Sequence, residues 1–390
     1  VELAACKEAL VAEVQRLAIE LHGIARNLYE HPEPGLREER SAALLCDVLE
    51  RERFTMTRGL AGLPTAFRAV HGHGRPAVAI LAEMDALPRM GHACGHNVIA
   101  AAAVGAAVAL RRVMTEPPGS IVVFGTPAEE LGIGKVELVN AGLFDEIDFA
   151  LMVHPSSRRY VIKHYLGLAK VRLTFLGKPA HAAAYPEEGI NALDAVILTF
   201  TAVNAMRQQL SQDVRIHGII TEGGVAPNII PERAACHFYV RASEPAELVR
   251  MKERLLACAR GAAEATGCRL EVEEDPRVLA PLRVNQAFSR LYRDQLAYLG
   301  LPETPTLPDR NRGSSDIGNV SQVVPTIHPH VPIGCGINIH SEQFAMATVS
   351  PQGQAAVVEG ATAMALVVAE LFASPALREE ISREFSTPPA

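Results

Sequence analysis

Residues 77–113 read AVAILAEMDALPRMGHACGHNVIAAAAVGAAVALRRV. Ala77 to Ala82 is a short, nearly all-apolar run of strand type, and Val98 to Val113 is an Ala/Val-rich run long enough for a helix. The polar residues between them therefore lie on a strand-to-helix loop, where Asp85, His92, Cys94 and His96 crowd together. Residues two apart, as Cys94 and His96 are, share a side only on an extended chain. Asn97 falls at the expected N-cap, and a helix N-terminus there lowers the pKa of Cys94 toward a thiolate. This is the chemistry of a metal site, although an isolated Cys-x-His pair is more often a buried thiol beside core histidines.

The same rhythm continues on both sides. Helices are expected over Lys7 to Tyr29 and Glu38 to Arg51, a strand over Ser120 to Thr126, a helix over Gly134 to Ala141 and a strand over Phe149 to His154. Strand and helix alternating in this way indicate an α/β unit with a mostly parallel sheet flanked by helices. Its strands run into Glu83 and Asp85, into Glu129 and Glu130, and into His154. In open α/β sheets ligands gather beyond the carboxyl ends of strands, so these distant residues are expected to converge.

After Tyr160 the texture changes. Strands over Leu168 to Phe175, Ile216 to Thr221, Ala234 to Arg241 and Arg269 to Glu273, with helices over Asn191 to Leu210 and Pro245 to Ala265, give a β-α-β-β-α-β order. That order describes a ferredoxin-like α+β module. We place it at 166–276, inserted into a discontinuous catalytic domain of residues 1–165 and 277–390. Beyond it come a helix over Asn285 to Leu299, a proline-rich irregular stretch from Pro302 to Ile333, a long helix from Ser350 to Phe372, and a frayed tail from Ser382. Cys335 has apolar neighbours and reads as a core thiol, while His328 and His330 read as structural or pocket-lining.

Composition narrows the function classes. With 48% hydrophobic and 21% charged residues among 390, the chain is globular and long enough for two cores. Its net charge of -7 is spread without a basic block, which argues against nucleic acid or an anionic membrane and favours a small-molecule substrate. Seven cysteines without a regular framework point to reduced thiols and a cytoplasmic setting. No signal-peptide pattern opens the sequence, and the apolar run from Val98 to Leu110 is too short to span a bilayer.

Glu129 and Glu130 are adjacent carboxylates at a strand end. Neighbours on an extended chain point apart, so one can bind a metal while the other faces the attacking water and shuttles its proton. A Glu-Glu pair alone is usually solvated surface; Cys94, His96, Glu130 and His154, all at strand ends, make a far more specific set.

These motifs resemble those of the dinuclear metallopeptidase family that includes aminoacylase, carboxypeptidase G and succinyl-diaminopimelate desuccinylase. Within it they are similar to the amidohydrolase branch of indole-3-acetyl-amino-acid hydrolases and aminobenzoyl-glutamate hydrolases. The similar segments are Ala82 to Pro88, Gly91 to Asn97, Thr126 to Glu130, Val153 to His154, Ala180 to Asn191, Gly223 to Pro231, Ser314 to Ser321 and the region of His340, in the family's order. The resemblance implies two divalent metal ions (zinc, manganese or cobalt) on Cys94, His96, Glu130, His154 and His340, with Cys94 placed to bridge them. It implies Glu129 as general base, Asp85 orienting a ligand, and His181 stabilising the oxyanion, often across a dimer. Asn228 and Arg241 match residues that hold the substrate's carboxylate, and the inserted module matches a lid and homodimerisation domain.

Two positions depart from the pattern. Glu83 stands where most of the family has a histidine ligand and the branch usually has Asp, and Asn97 replaces the branch's commoner Asp. Asn97 and Ser314-Ser315-Asp316 are similar to the subgroup of aminobenzoyl-glutamate hydrolases and dipeptidases acting on β-alanyl-type peptides. The expected activity is hydrolysis of the amide of an N-acyl amino acid or small dipeptide. The rival readings are an aromatic-amine deaminase on the same scaffold and a non-catalytic metal or ligand binder, the latter disfavoured by Glu129.

Overall fold

The structure is a computed structural model that describes residues 3–305 and 312–387, so residues 306–311 of the expected irregular stretch lie outside the described residues. In chain order the elements begin α1 (Leu3–Glu30), α2 (Glu39–Arg51), β1 (Thr55–Leu60), β2 (Leu63–Gly72), β3 (Ala77–Glu83), α3 (His96–Val113), β4 (Ser120–Thr126), α4 (Gly134–Asn140), β5 (Phe149–Leu151) and β6 (His154–Ser156). A second group follows: β7 (Gly167–Leu176), α5 (Ala192–Met206), β8 (Arg215–Glu222), β9 (Arg233–Ala242), α6 (Pro245–Thr266) and β10 (Arg269–Glu274). The chain ends with α7 (Gln286–Tyr298), α8 (Ile317–Val323), β11 (Thr326–Ile327), β12 (His330–Pro332), α9 (Glu342–Ala347), α10 (Pro351–Ala373) and α11 (Pro375–Ser386).

Two compact units result. The first is Val1–His164 with Leu282–Arg312 and Asp316–Ala390; the second is Tyr165–Pro281 with Gly313–Ser315. The second unit runs past the expected end at 276 because Leu168 and Leu279 exchange backbone hydrogen bonds of 2.9 and 3.0 Å. It gains Gly313 because that carbonyl accepts the Leu166 amide at 2.8 Å.

In the first unit the sheet order is β1-β2-β4-β3-β5-β11. β3 pairs parallel with β4 and β5, β5 pairs parallel with β11, and the β1–β2 hairpin joins antiparallel at one edge. Every residue of β3 and β4 is buried, which is why these strands read as unbroken apolar runs rather than as alternation. A separate short ladder pairs β6 with β12, setting His154 opposite His330. α3 packs against α1 and α10 in the core.

α3 and α10 are both long and apolar enough to cross a membrane, contrary to the shorter run anticipated in α3, but 83% and 78% of their apolar stretches are buried inside the molecule. Their apolarity is that of core helices. Several other expectations also change. The β1–β2 hairpin was not anticipated, because β1 is largely exposed and carries little hydrophobic pattern. The stretch from Pro302 to Ile333 contains α8, β11 and β12. The tail is not frayed from Ser382: α11 continues to Ser386, Ile381 is fully buried, and its carbonyl accepts from Asn285 Nδ2 at 2.9 Å. Cys335 is exposed rather than in the core, and all seven cysteines are free thiols.

The second unit has the order β10-β7-β9-β8 with every pair antiparallel, the arrangement of a ferredoxin-like module. α5 and α6 contribute with the sheet to one apolar core. β8 is an edge strand.

Candidate metal centre

The centre is assembled in the first unit from the ends of β3, β4 and β5. Beyond β3 the chain crosses to α3 through Gly95, whose φ of +83° makes it the N-cap residue. A side chain there would meet both that left-handed backbone and Pro155, 2.3 Å from an added Cβ. Asn97 is therefore not the N-cap. It lies inside α3, buried, with Nδ2 donating to Ala25 O at 3.1 Å and Thr348 Oγ1 at 3.0 Å.

Two histidines present a bare ring nitrogen to one space. His96 Nδ1 donates to Asp85 O at 2.9 Å and Asp85 Oδ1 at 3.0 Å, which leaves Nε2 with its lone pair. His154 Nδ1 donates to Pro155 O at 2.7 Å, and its Nε2 lies 3.6 Å from Cys94 Sγ. Donor atoms of Cys94, His96 and His154 lie within 4.8 Å of one another, as do those of Cys94, Glu130 and His340, so the two sets share the thiol. A third set joins His96, Glu129 and Glu130 at the same spacing.

His340 Nε2 is 3.6 Å from Glu130 Oε1, and Glu129 Oε2 is 3.8 Å from His96 Nε2. The Glu pair does not sit on an extended chain as expected: it opens a turn after Ala128, whose φ is +56°. His340 also has a left-handed backbone, φ +61°, held by its amide donating to Ala93 O at 2.8 Å. Such strain persists where surrounding contacts over-determine it, and two of the six non-glycine residues with a left-handed backbone among those described lie on segments that carry donors.

Burial dominates the electrostatics. It pushes the Cys94 thiol well above its ordinary value, only partly opposed by His96, so the helix start does not by itself yield the expected thiolate. Burial also keeps His154 well below the ordinary imidazole value. His96 is raised despite its burial, by Asp85 first and then Glu83. Glu129 is raised well above the carboxylate range by burial and then by Glu83 and Asp316.

These residues fit a divalent cation. His96 Nε2 and Glu130 Oε1 are buried without a hydrogen-bond partner, a costly state for polar atoms unless a cation takes their lone pairs. Thiolate, imidazole and carboxylate together suit a divalent transition metal.

Glu38, Tyr160 and Lys135 help shape the centre but carried no signal in the sequence. Glu38 is buried and accepts from Ala128 N at 2.8 Å and Thr65 Oγ1 at 3.0 Å, pinning the turn before Glu129. The ring of His154 stacks on His330, with centroids 5.2 Å apart, and His330 stacks on Tyr160 at 4.5 Å. Lys135 is fully buried, with Nζ 2.6 Å from both Glu83 Oε1 and Asp316 Oδ1. Burial works against ionised Glu83, but Lys135 and then His96 outweigh it and bring the carboxyl to about 2. A lone lysine next to a glycine at a helix start looks like surface in sequence; only the two acids closing on it reveal otherwise.

In the second unit, His181 Nδ1 accepts from the amides of Ala183 and Ala184 at 3.2 Å each. An accepting Nδ1 places the ring proton on Nε2, so His181 presents a donor. Its neighbour is Asn228, whose carbonyl accepts the Ala182 amide at 3.0 Å. Arg241 is elsewhere, with Nη1 donating to Ser314 Oγ at 2.7 Å. Asn228 and Arg241, which the resemblance has holding one substrate carboxylate, stand at opposite ends of β9 in this chain. Asn228 lies in the loop before Arg233, while Arg241 is near the far end of β9 opposite Arg215. Those eight residues of strand span roughly 25 Å.

Residues 166–266 match the peptidase dimerisation domain of the M20 family. The chain is 37% identical to the Xaa-Arg dipeptidase of Mus musculus, over 98% of this chain and 93% of that protein. It is 35% identical to the Xaa-Arg dipeptidase of Homo sapiens, over 95% and 90%. A dinuclear metal-binding peptidase of the M20 family from Bacillus subtilis superposes with a TM-score of 0.72 at 20% identity, covering 91% of this chain and 99% of that one. The fold and centre are those of a metal-dependent amide hydrolase. The chain belongs to the M20 metallopeptidase family.

Proposed function

We propose that this chain is a dipeptidase or N-acyl-amino-acid hydrolase with two divalent ions. Cys94, His96 and His154 would hold one, and Cys94, Glu130 and His340 would hold the other. The observation that carries this reading is the shared thiol: two three-donor sets within 4.8 Å meet at Cys94, with Glu129 beside them. When bound, divalent ions polarise the scissile carbonyl and bring the pKa of a water toward neutrality. Glu129 takes the proton of the attacking water and delivers it to the leaving nitrogen, a task suited to a carboxyl whose proton affinity is raised by burial. Asp85 keeps the His96 ring in its ligating tautomer and, through Oδ2 accepting the Glu130 amide at 3.0 Å, sets the second carboxylate.

Within the second unit His181 and Asn228 stand at the opposite end from Arg241. A dipeptide is only about 7 Å long, so His181 and Asn228 cannot grip the same molecule as Arg241 of their own module. Both groups meet one substrate if the first pair reaches into a partner chain's site in a homodimer. β8, an edge strand, exposes Ile219 (65%) and Ile220 (46%), and α5 exposes Ile197 (47%) and Leu198 (41%), an apolar surface of the kind that pairing would cover.

The test is a panel of dipeptides and N-acyl amino acids with manganese, zinc or cobalt added, analysed for products. Release of a free amino acid from a dipeptide supports the reading. Ammonia as the sole product, or no turnover with any of the metals, refutes it.

A further inference from the structure

Three carboxylates from three separate stretches, Glu83 at the end of β3, Glu129 after β4 and Asp316 before α8, have oxygens within 4.8 Å of one another in the first unit. Two of them are neutralised by a single ammonium: Lys135 Nζ lies 2.6 Å from Glu83 and 2.6 Å from Asp316, all three side chains being at most 1% exposed. Asp316 also accepts the Lys135 amide through Oδ2 at 2.9 Å, so backbone and side chain of this lysine are both clamped. Glu129 lies on the loop that Lys135 ends.

That loop has no slack. Ile133 N donates to Ala128 O at 3.1 Å and Gly132 N to Glu129 O at 2.7 Å. Gly134 packs so closely that an added Cβ would stand 1.8 Å from Pro127 O. Glu38 holds the loop at Ala128 and Asp85 holds it at Glu130. The remaining tether is Lys135, and it does two things at once. It ties the end of the loop to β3 and α8, and it cancels the repulsion that two bare carboxylates would exert on a third at this spacing.

We propose that Lys135, with Glu83 and Asp316, is a positioning device for Glu129, holding that carboxylate beside His96 and away from the other two acids. This rests on Glu129 as the proton-transferring group of the proposed function. A misplacement of about 1 Å in such a group lowers turnover by up to about 100-fold without weakening substrate binding equally.

The experiment uses the metal-loaded full chain. Lys135→Met should lower kcat by about 10- to 100-fold, with KM within about 3-fold and the metal content by elemental analysis equal to that of the parent. The variant Lys135→Met/Glu83→Gln/Asp316→Asn removes all three charges, and should recover thermal stability because a neutral, similarly shaped triad leaves no unpaired buried ion. Its kcat should stay low, because the ionic tether from the loop to β3 and α8 is lost even though the repulsion is lost with it. If kcat returns together with stability, the triad is merely structural and the proposal is overturned; this variant also serves if Lys135→Met alone does not fold. Adding Lys135→Met to Glu129→Gln should cost nothing further. A full additional loss there refutes action through Glu129, whereas full activity of Glu129→Gln by itself refutes the base assignment instead.

Discussion

Asp85 Oδ1 lies 3.0 Å from Nδ1 of His96, and both side chains are fully buried. This contact decides which ring nitrogen of His96 faces the other donors. Asp85→Ala should weaken metal binding by about 10- to 100-fold, the usual cost of losing a partner behind a ligating histidine. Competition titration with a chelating dye would measure it, and unchanged affinity in a folded variant would remove Asp85 from the centre.

The two adjacent carboxylates should separate cleanly. Glu129→Gln is expected to retain metal and lose roughly 10²- to 10⁴-fold in rate, as for a missing general base. Glu130→Ala should lose metal itself. Elemental analysis alongside steady-state rates checks both, and metal loss in the Gln variant would reverse the roles.

Burial raises the Cys94 thiol far above its ordinary value, so metal must displace a proton to bind there. Affinity should therefore rise with pH, by about 10-fold per unit for each proton released, and fall as acid restores the thiol. Chelator should abolish activity. Binding constants at several pH values, compared with those of Cys94→Ser, test the sign; a flat profile contradicts it.

Because His181 and Arg241 occupy opposite ends of the second unit, inactive Glu129→Gln and inactive His181→Ala chains should complement one another. After subunit exchange, half the dimers are mixed and each has one intact site, so about a quarter of the parent rate should return. No recovery with exchange verified would place His181 in its own chain's site or outside catalysis.

Arg241, half-buried with Ser314 beside its guanidinium, is suited to grip a substrate carboxylate. Arg241→Ala, or amidation of the substrate's free α-carboxylate, should lower kcat/KM by at least ~10-fold, the scale of a charge-assisted hydrogen bond worth about 1.5 to 3 kcal/mol. Equal turnover of acid and amide by the parent enzyme would show that the pocket reads something else.

Much of the scaffold was legible in one dimension because the burial of each element leaves a periodic trace. β3 and β4, buried on both faces, read as apolar runs, and the strand and helix order of the inserted module followed from alternation and amphipathicity. The β1–β2 hairpin was not legible, because an exposed edge strand has little pattern to show. The last turns of α11 were missed because what orders them is Ile381 buried against distant parts of the fold.

By itself the sequence determined which residue types gather near the carboxyl ends of the strands: Glu129, Glu130 and His154 follow closely on apolar runs, and Cys94 and His96 close the loop between another such run and the helix after it. Tertiary structure alone decided their states and supports. Gly95, not Asn97, starts α3, because only a residue without Cβ clears Pro155. Cys94 is a high-pKa thiol because the fold removes it from water, and Lys135 is a buried cation because Glu83 and Asp316, far apart in the chain, close on it. Proton affinity and charge balance depend on what surrounds a group in three dimensions, and local sequence does not contain that information.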